Sequence, residues 1–320
     1  MLTVGLHARL RLALAAALSV ALLLLHAHAQ SAEAPARKAF KSPDEGSRAL
    51  IDAARSAEVS ELAAILGPSY KDWIETGDAV QDKLARDRFV AAWEEKQAIE
   101  TIGAEKAIIV VGNDEFPFPI PLVKSASGWS FDPELGRQEI LDRRIGKNEL
   151  DTIKTLLAIA DAQGEYASAD REGKGAREYA QKFMSAPGKR DGLYWPTDDS
   201  EPRSPLGPLV GEAVRVGYDP SARGTPQERA PYYGYYFRML LGQGASAPGG
   251  AYPYVAKGRM IGGFAVIAYP ARYGVSGFKT FMISHDRAVY EADLGSDTRR
   301  VAEGIRVFDP DKRWSKVDAD

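Results

Sequence analysis

One carboxylate in this chain has the neighbours that acid–base chemistry on a sugar would want. Asp191 stands in the stretch 188–196, GKRDGLYWP, with Gly192, Tyr194 and Trp195 beside it. Aromatic faces next to an acid describe a glycan site, and glycoside hydrolysis needs two carboxyl groups facing each other about 5 to 9.5 Å apart. The same pattern describes a loop pinned to a core by Tyr and Trp, which is the simpler reading. Between these lies a third: a loop held on a scaffold that offers charge and aromatic area to a ligand or partner. The candidate surface is Lys189, Asp191, Tyr194 and Trp195, floored by Tyr233 and Tyr235 of the run YYGYYF if the loop folds back over it.

Other chemistries lack their residues. Of four histidines, His7, His26 and His28 fall in the apolar N-terminal stretch, and only His285 remains, in an expected hairpin turn where it reads as exposed. A Ser-His-Asp triad would have to use that one imidazole, and no G-x-S-x-G elbow accompanies it. There is no cysteine, so thiol chemistry and disulfides are excluded. No P-loop, G-x-G-x-x-G or D-x-D-x-D-G pattern occurs, and neither a cofactor nor a metal is expected. The formal net charge of −3 argues against nucleic acid as the main partner.

Residues 1–29 stand apart. A weakly basic start is followed by an apolar run, 12–25, and Ala27-His28-Ala29 forms an A-x-A cleavage site before Gln30. This is the pattern of a secretory signal peptide, and the run is shorter than the roughly 20 residues of a membrane span. Export to the periplasm or medium is expected, with no membrane span after cleavage.

The elements that would position these groups fall into two sets. Residues 30–42 form a tether. Helices are expected from Pro43, over 59–66 up to Gly67-Pro68, and over 82–96, where Phe89 and Trp93 share a face. A strand follows over 107–111. In 116–122 three prolines alternate with apolar residues, which suits only an edge strand, and 129–131 makes another. From Glu134 the pattern turns helical. Gly146 breaks it, Asn148 caps a second, longer helix with Asp151 three residues on, and Tyr166 closes that helix. Arg143 and Arg144 sit at this junction and are expected to bridge the halves. Beyond it, Tyr179 and Phe183 mark a short helix, and 200–210 is dense in turn formers. Strands are expected over 232–241, 264–269, 279–284 and 288–293, with His285-Asp286-Arg287 as the last turn. In the first of these, Tyr233, Tyr235 and Phe237 share one face, and Tyr236 and Arg238 the other.

The fold class is therefore α+β: a small helix-plus-curved-sheet domain, 43–146, then a long helix packed on an antiparallel meander, 147–320. The blocks FPFPIPLVK, RRIGKNEL, GKRDGLYWP, SPLGPLV, GYYFRMLLGQG, GGFAVIAYP and DLGSDT, in this order, resemble a family of secreted bacterial proteins, domain of unknown function 2950. That resemblance covers nearly all of the chain after the leader and implies no catalytic or binding residue. The second half is also similar to the heads of type IV pilins and pseudopilins. It departs from them where Arg143, Arg144, Lys147 and Asn148 replace their apolar assembly helix. The expected role is a non-enzymatic binding or envelope-assembly module, whose partner would be an envelope protein or glycan. The alternative is a carboxylate-dependent hydrolase acting on envelope glycan or peptide.

Overall fold

The computed structural model describes residues 37–56, 58–67, 70–171, 173, 175, 177–198, 201, 203–219 and 230–317. The expected leader and the first part of the tether lie outside them. The chain is α+β, and its described part holds two hydrophobic cores.

The first core forms around helices that enter before any sheet. Helix α1 (Pro43–Ser56) places proline in the first turn, where its missing N–H costs nothing, and Asp44 and Glu45 at the positive end of the dipole. Helix α2 (Val59–Leu66) stops at Gly67, whose φ of +91° suits glycine. The short α3 (Tyr70–Ile74) precedes α4 (Ala79–Glu95), where Asp78 caps by accepting from Gln81 N–H. Phe89 and Trp93 of α4 are only half-buried. Phe89 meets Phe118 at 5.0 Å, and the Trp93 Nε1 donates to Ser47 Oγ at 3.3 Å.

Strands β1 (Gln97–Ile102) and β2 (Lys106–Val111) make a hairpin. The proline run is divided into β3 (Phe116–Pro117) and the start of β4 (Leu122–Ser125), both on the β2 edge opposite β1. Pro119 and Pro121 have no N–H to offer, so pairing lapses between them. With β5 (Gly128–Phe131) the sheet order is β1-β2-β4-β5, β3 also pairing with β2. Phe40, Leu50, Ile109, Ile120, Leu122 and Phe131 fill its core.

Helix α5 (Pro133–Ala167) is one helix of 35 residues. The break expected at Gly146 is absent: Gly146 is an interior helical residue, and Asn148 is no cap. Asn148 is buried, and its Nδ2 donates to the Ser276 carbonyl at 2.9 Å. A glycine costs about 1 kcal/mol in a helix interior, which the packing along α5 offsets. Leu141 and Ile145 belong to the first core, and Leu156, Ile159 and Tyr166 to the second.

The second core is a meander in the order β14-β13-β12-β11-β6, all antiparallel. Helix α6 (Gly207–Arg215) leads toward β6 (Tyr235–Leu240). The two-residue strands β7 (Gly242–Gln243), β8 (Tyr252–Pro253), β9 (Val255–Ala256) and β10 (Arg259–Met260) then make two small ribbons. Strands β11 (Ala265–Pro270), β12 (Lys279–Ser284) and β13 (Val289–Asp293) follow, then helix α7 (Thr298–Gly304) and β14 (Ser315–Lys316). Gln163 of α5 reaches Met239, and Ala302 of α7 holds the adjacent Arg238. Successive strand residues point to opposite faces, so the two helices cover both faces and β11 and β12 are buried almost throughout. The helix expected around Tyr179 and Phe183 is instead extended chain, bridged at Tyr179 to Met260 and at Met184 to Tyr194. Tyr232 and Tyr233 precede β6 rather than extend it, and Tyr233 has a φ of +50°.

Candidate functional site

The loop 185–195 is laced to the segment before it. Ser185 N–H donates to Tyr194 O at 2.8 Å, Tyr194 N–H to Phe183 O at 2.8 Å, and Leu193 N–H to Lys182 O at 3.0 Å. Gly192 is required by closeness: a Cβ there would lie 2.7 Å from the Met184 carbonyl carbon. Asp191 is the brace of this loop. Its Oδ2 accepts from Lys182 Nζ at 2.6 Å and its Oδ1 from Ala186 N–H at 2.8 Å. Slight burial pushes the carboxyl up, but the Lys182 and Ala186 donors outweigh it and hold the carboxyl below its ordinary range. An ionised carboxylate with both oxygens engaged is a poor general acid.

Beneath the loop runs a groove of about 920 Å³. Lys189, Tyr194 and Trp195 line it, opposite Tyr218, Tyr232 and Phe237, with α6 contributing Val210 and Ala213. Tyr194 is half-buried and Lys189 exposed. Trp195 is 6 % exposed and stacks edge-on to Tyr166 at 6.5 Å, with the Arg190 guanidinium 5.5 Å from its ring. Its Nε1 N–H has no acceptor among the described residues. An unmatched buried donor costs about 1–3 kcal/mol, a penalty that a purely space-filling phenylalanine would not carry.

Tyr233 and Tyr235 do not line this groove. Tyr233 stands edge-on to Tyr232 at 4.5 Å, lies under Lys147 Nζ at 5.1 Å, and donates its N–H to the Tyr218 hydroxyl at 3.1 Å. Tyr235 is fully buried, with its hydroxyl on the Lys279 carbonyl at 2.9 Å and its ring 6.0 Å from Phe281. The floor of rings comes instead from Tyr232, Tyr218, Phe183 and Phe237. Tyr232 carried a signal in the run YYGYYF. Tyr218, alone after Gly217, carried none.

The far wall of the groove continues into a polar junction. Asp78 is 0 % exposed, and its Oδ2 accepts from Tyr218 at 2.6 Å and from Gly234 N–H at 3.1 Å. Burial raises the Asp78 carboxyl above its ordinary value despite these donors. Arg143 pairs with Glu139 of its own helix at 2.5 Å and covers the Phe116 ring at 4.6 Å. Arg144 is half-buried. Desolvation lowers its pKa, Asp82 opposes that, and Arg272 and Tyr70 act on it from either side. Arg272 itself donates to Asp72 O at 2.9 Å and to the Glu75 carbonyl. His285 is less exposed than a turn histidine is expected to be: its ring stands edge-on to Tyr254 at 5.6 Å, and its Nδ1 is buried without a partner among the described residues.

Among the described residues, no three His, Cys, Asp or Glu side chains cluster as metal ligands, and no helix is long and apolar enough to cross a membrane. A family model described as Protein of unknown function (DUF2950) matches residues 37–317. No curated protein and no solved structure matches the chain.

Proposed function

The chain belongs to this family of proteins of unknown function, and from that premise we propose that it is an exported, non-enzymatic binding module that grips an envelope partner in the groove under the loop 185–195. The observation that carries the reading is the groove itself: about 920 Å³, walled by Tyr194, Trp195, Tyr218 and Tyr232 on a braced loop and an ordered strand start. Tyrosine and tryptophan combine apolar area with a polar tip and lose little entropy on contact. Hydrolysis at Asp191 is not favoured, because that carboxylate holds the loop with both oxygens and does not line the groove.

The test is cross-linked capture from envelope extract by the purified protein, compared with a Tyr194→Ala/Tyr232→Ala variant. The expected result is a specific partner lost from the variant while its thermal unfolding stays cooperative. The same partner retained at wild-type yield would overturn the reading.

A further inference from the structure

Strand β6 is the edge of the second sheet, and its hydrogen-bonding parity is set by a proline. Pro270 faces Tyr235 and has no N–H, while Ala271 N–H donates to Gly234 O at 2.9 Å. In an antiparallel ladder, paired and unpaired positions alternate. Tyr236, Arg238 and Leu240 therefore turn their backbone groups toward β11, and Tyr235, Phe237 and Met239 turn theirs away from it.

The two ends of that outward row are plugged. Tyr235 exchanges both bonds with Tyr232, at 3.1 and 2.9 Å, and Leu241 O accepts from Tyr254 N–H at 2.9 Å. Between the plugs, the N–H and C=O of Phe237 and of Met239 have no partner among the described residues. Exposed sheet edges are normally blunted by lysine, proline or a bulge. The stretch from Phe237 to Met239 carries none of these.

Beside this gap lies a second cavity, of about 1080 Å³, walled by the rings of Phe183, Tyr236 and Tyr252. It meets the first groove at Phe183, Tyr232 and Phe237, which line both. Lys182, Arg238 and Arg306 line it, and no aspartate or glutamate does among the described residues. Lys182 is already neutralised by Asp191 at 2.6 Å. Arg238 spends its guanidinium on the carbonyls of Ala302 and Ile305, at 2.8 and 2.6 Å, with the Glu303 carboxylate acting on it from nearby. Arg306 is exposed, and no ion pair to its guanidinium is present among the described residues. The cavity thus offers one uncommitted cation and no acid in a chain whose net charge is −3.

We propose that β6 is a strand-addition site, and that its occupant is an extended, acidic segment of a protein partner. Two residues of that segment would complete the four backbone bonds at Phe237 and Met239. Its side chains would alternate between the aromatic wall and water, and a carboxylate among them would meet Arg306. The inference builds on the binding reading above, because the two cavities adjoin, but its backbone argument stands on β6 alone.

The experiment pans a displayed library of random ten-residue peptides on the immobilised full chain. Enriched peptides should be acidic and free of proline at alternating positions, and their affinity should fall as salt rises. Met239→Pro removes one outward N–H without touching the β11 ladder, and edge strands tolerate such prolines. It should weaken the enriched peptides about tenfold, and more than Met239→Ala does, which trims the same side chain but keeps the amide. Hydrogen exchange on the wild type gives a reading independent of any variant: the Phe237 and Met239 amides should exchange fast alone and slowly when saturated with peptide. No enrichment, enrichment without acidic residues, or unchanged exchange at those two amides would overturn the proposal. Peptides that are lost on Tyr194→Ala/Tyr232→Ala but indifferent to Met239→Pro would sink strand addition and leave the groove reading standing.

Discussion

The Tyr218 hydroxyl donates to Asp78 Oδ2 at 2.6 Å, joining the cap of α4 to a residue 140 positions along the chain. The same hydroxyl receives the Tyr233 N–H at 3.1 Å, and the same carboxylate receives the Gly234 N–H at 3.1 Å. One buried carboxylate thus holds together a helix start, the wall of the groove and the turn before β6. Tyr218→Phe removes the strongest of these donors and leaves Asp78 short of one. Hydrogen bonds to charged groups contribute about 1.5–3 kcal/mol. Urea unfolding of Tyr218→Phe should show a loss of about that size, and an unchanged midpoint would refute the junction's importance.

The same carboxylate gives stability a pH dependence of definite sign. Burial holds the folded-state pKa of Asp78 above its ordinary value of 3.8, so the native state binds this proton more tightly than the unfolded state. Its contribution is fully present below the unfolded pKa and is lost as pH rises through the folded one. Urea midpoints of wild type relative to Asp78→Asn should therefore fall as pH rises across that window. A difference that grows with pH would contradict the assignment.

Two glycines of α5 should respond oppositely to alanine. A Cβ on Gly146 meets nothing within 4 Å, and the residue is interior to the helix, so Gly146→Ala should stabilise by about 0.5–1 kcal/mol. A Cβ on Gly136 would lie 2.5 Å from Pro119 O and 2.9 Å from Ile120 Cα, both backbone. Gly136→Ala should destabilise by about 1–3 kcal/mol. Thermal melts of the two variants decide it, and a destabilised Gly146→Ala would restore the case for a helix break there.

Asp191→Ala should loosen the loop without unfolding the protein. The Lys182 end of its ion pair is exposed while the Asp191 side chain is 16 % exposed, so the stability loss should be about 1 kcal/mol. Exchange of the Ala186 amide should nonetheless quicken, and partner capture should weaken. Because the Asp191 pKa is lowered, the brace should fail as pH falls through that lowered value, not as pH rises. Slow Ala186 exchange in the variant would show that something else holds the loop.

Export has a direct readout. Protein recovered from the envelope or medium should begin at Gln30 or within a few residues of it, as the Ala27-His28-Ala29 site implies. Intact-mass measurement showing Met1 retained would remove export from the proposed function.

Local pattern was enough for elements whose own residues carry their period. Residues 279–284 and the turn at 285–287 were legible because alternation and turn residues are short-range signals, α1 carried its own start, and α2 its start and stop. The loop at 188–196 announced its aromatics because glycine and proline bracket them. Where local and tertiary terms opposed each other, tertiary packing decided. Gly146 stays helical because α5 is buried against a core on either side of it. The chain around Tyr179 and Phe183 stays extended because its backbone bonds go to Met260 and Tyr194. Helix α6 forms despite its turn-forming residues, with Val210 buried in the second core. The site divides in the same way. Tyr194 and Trp195 could be named from the chain alone, and the run YYGYYF pointed at the right stretch but not at Tyr232 within it; Tyr218 could not be named at all, because what selects it is a carboxylate at Asp78, a partner that only folding brings near.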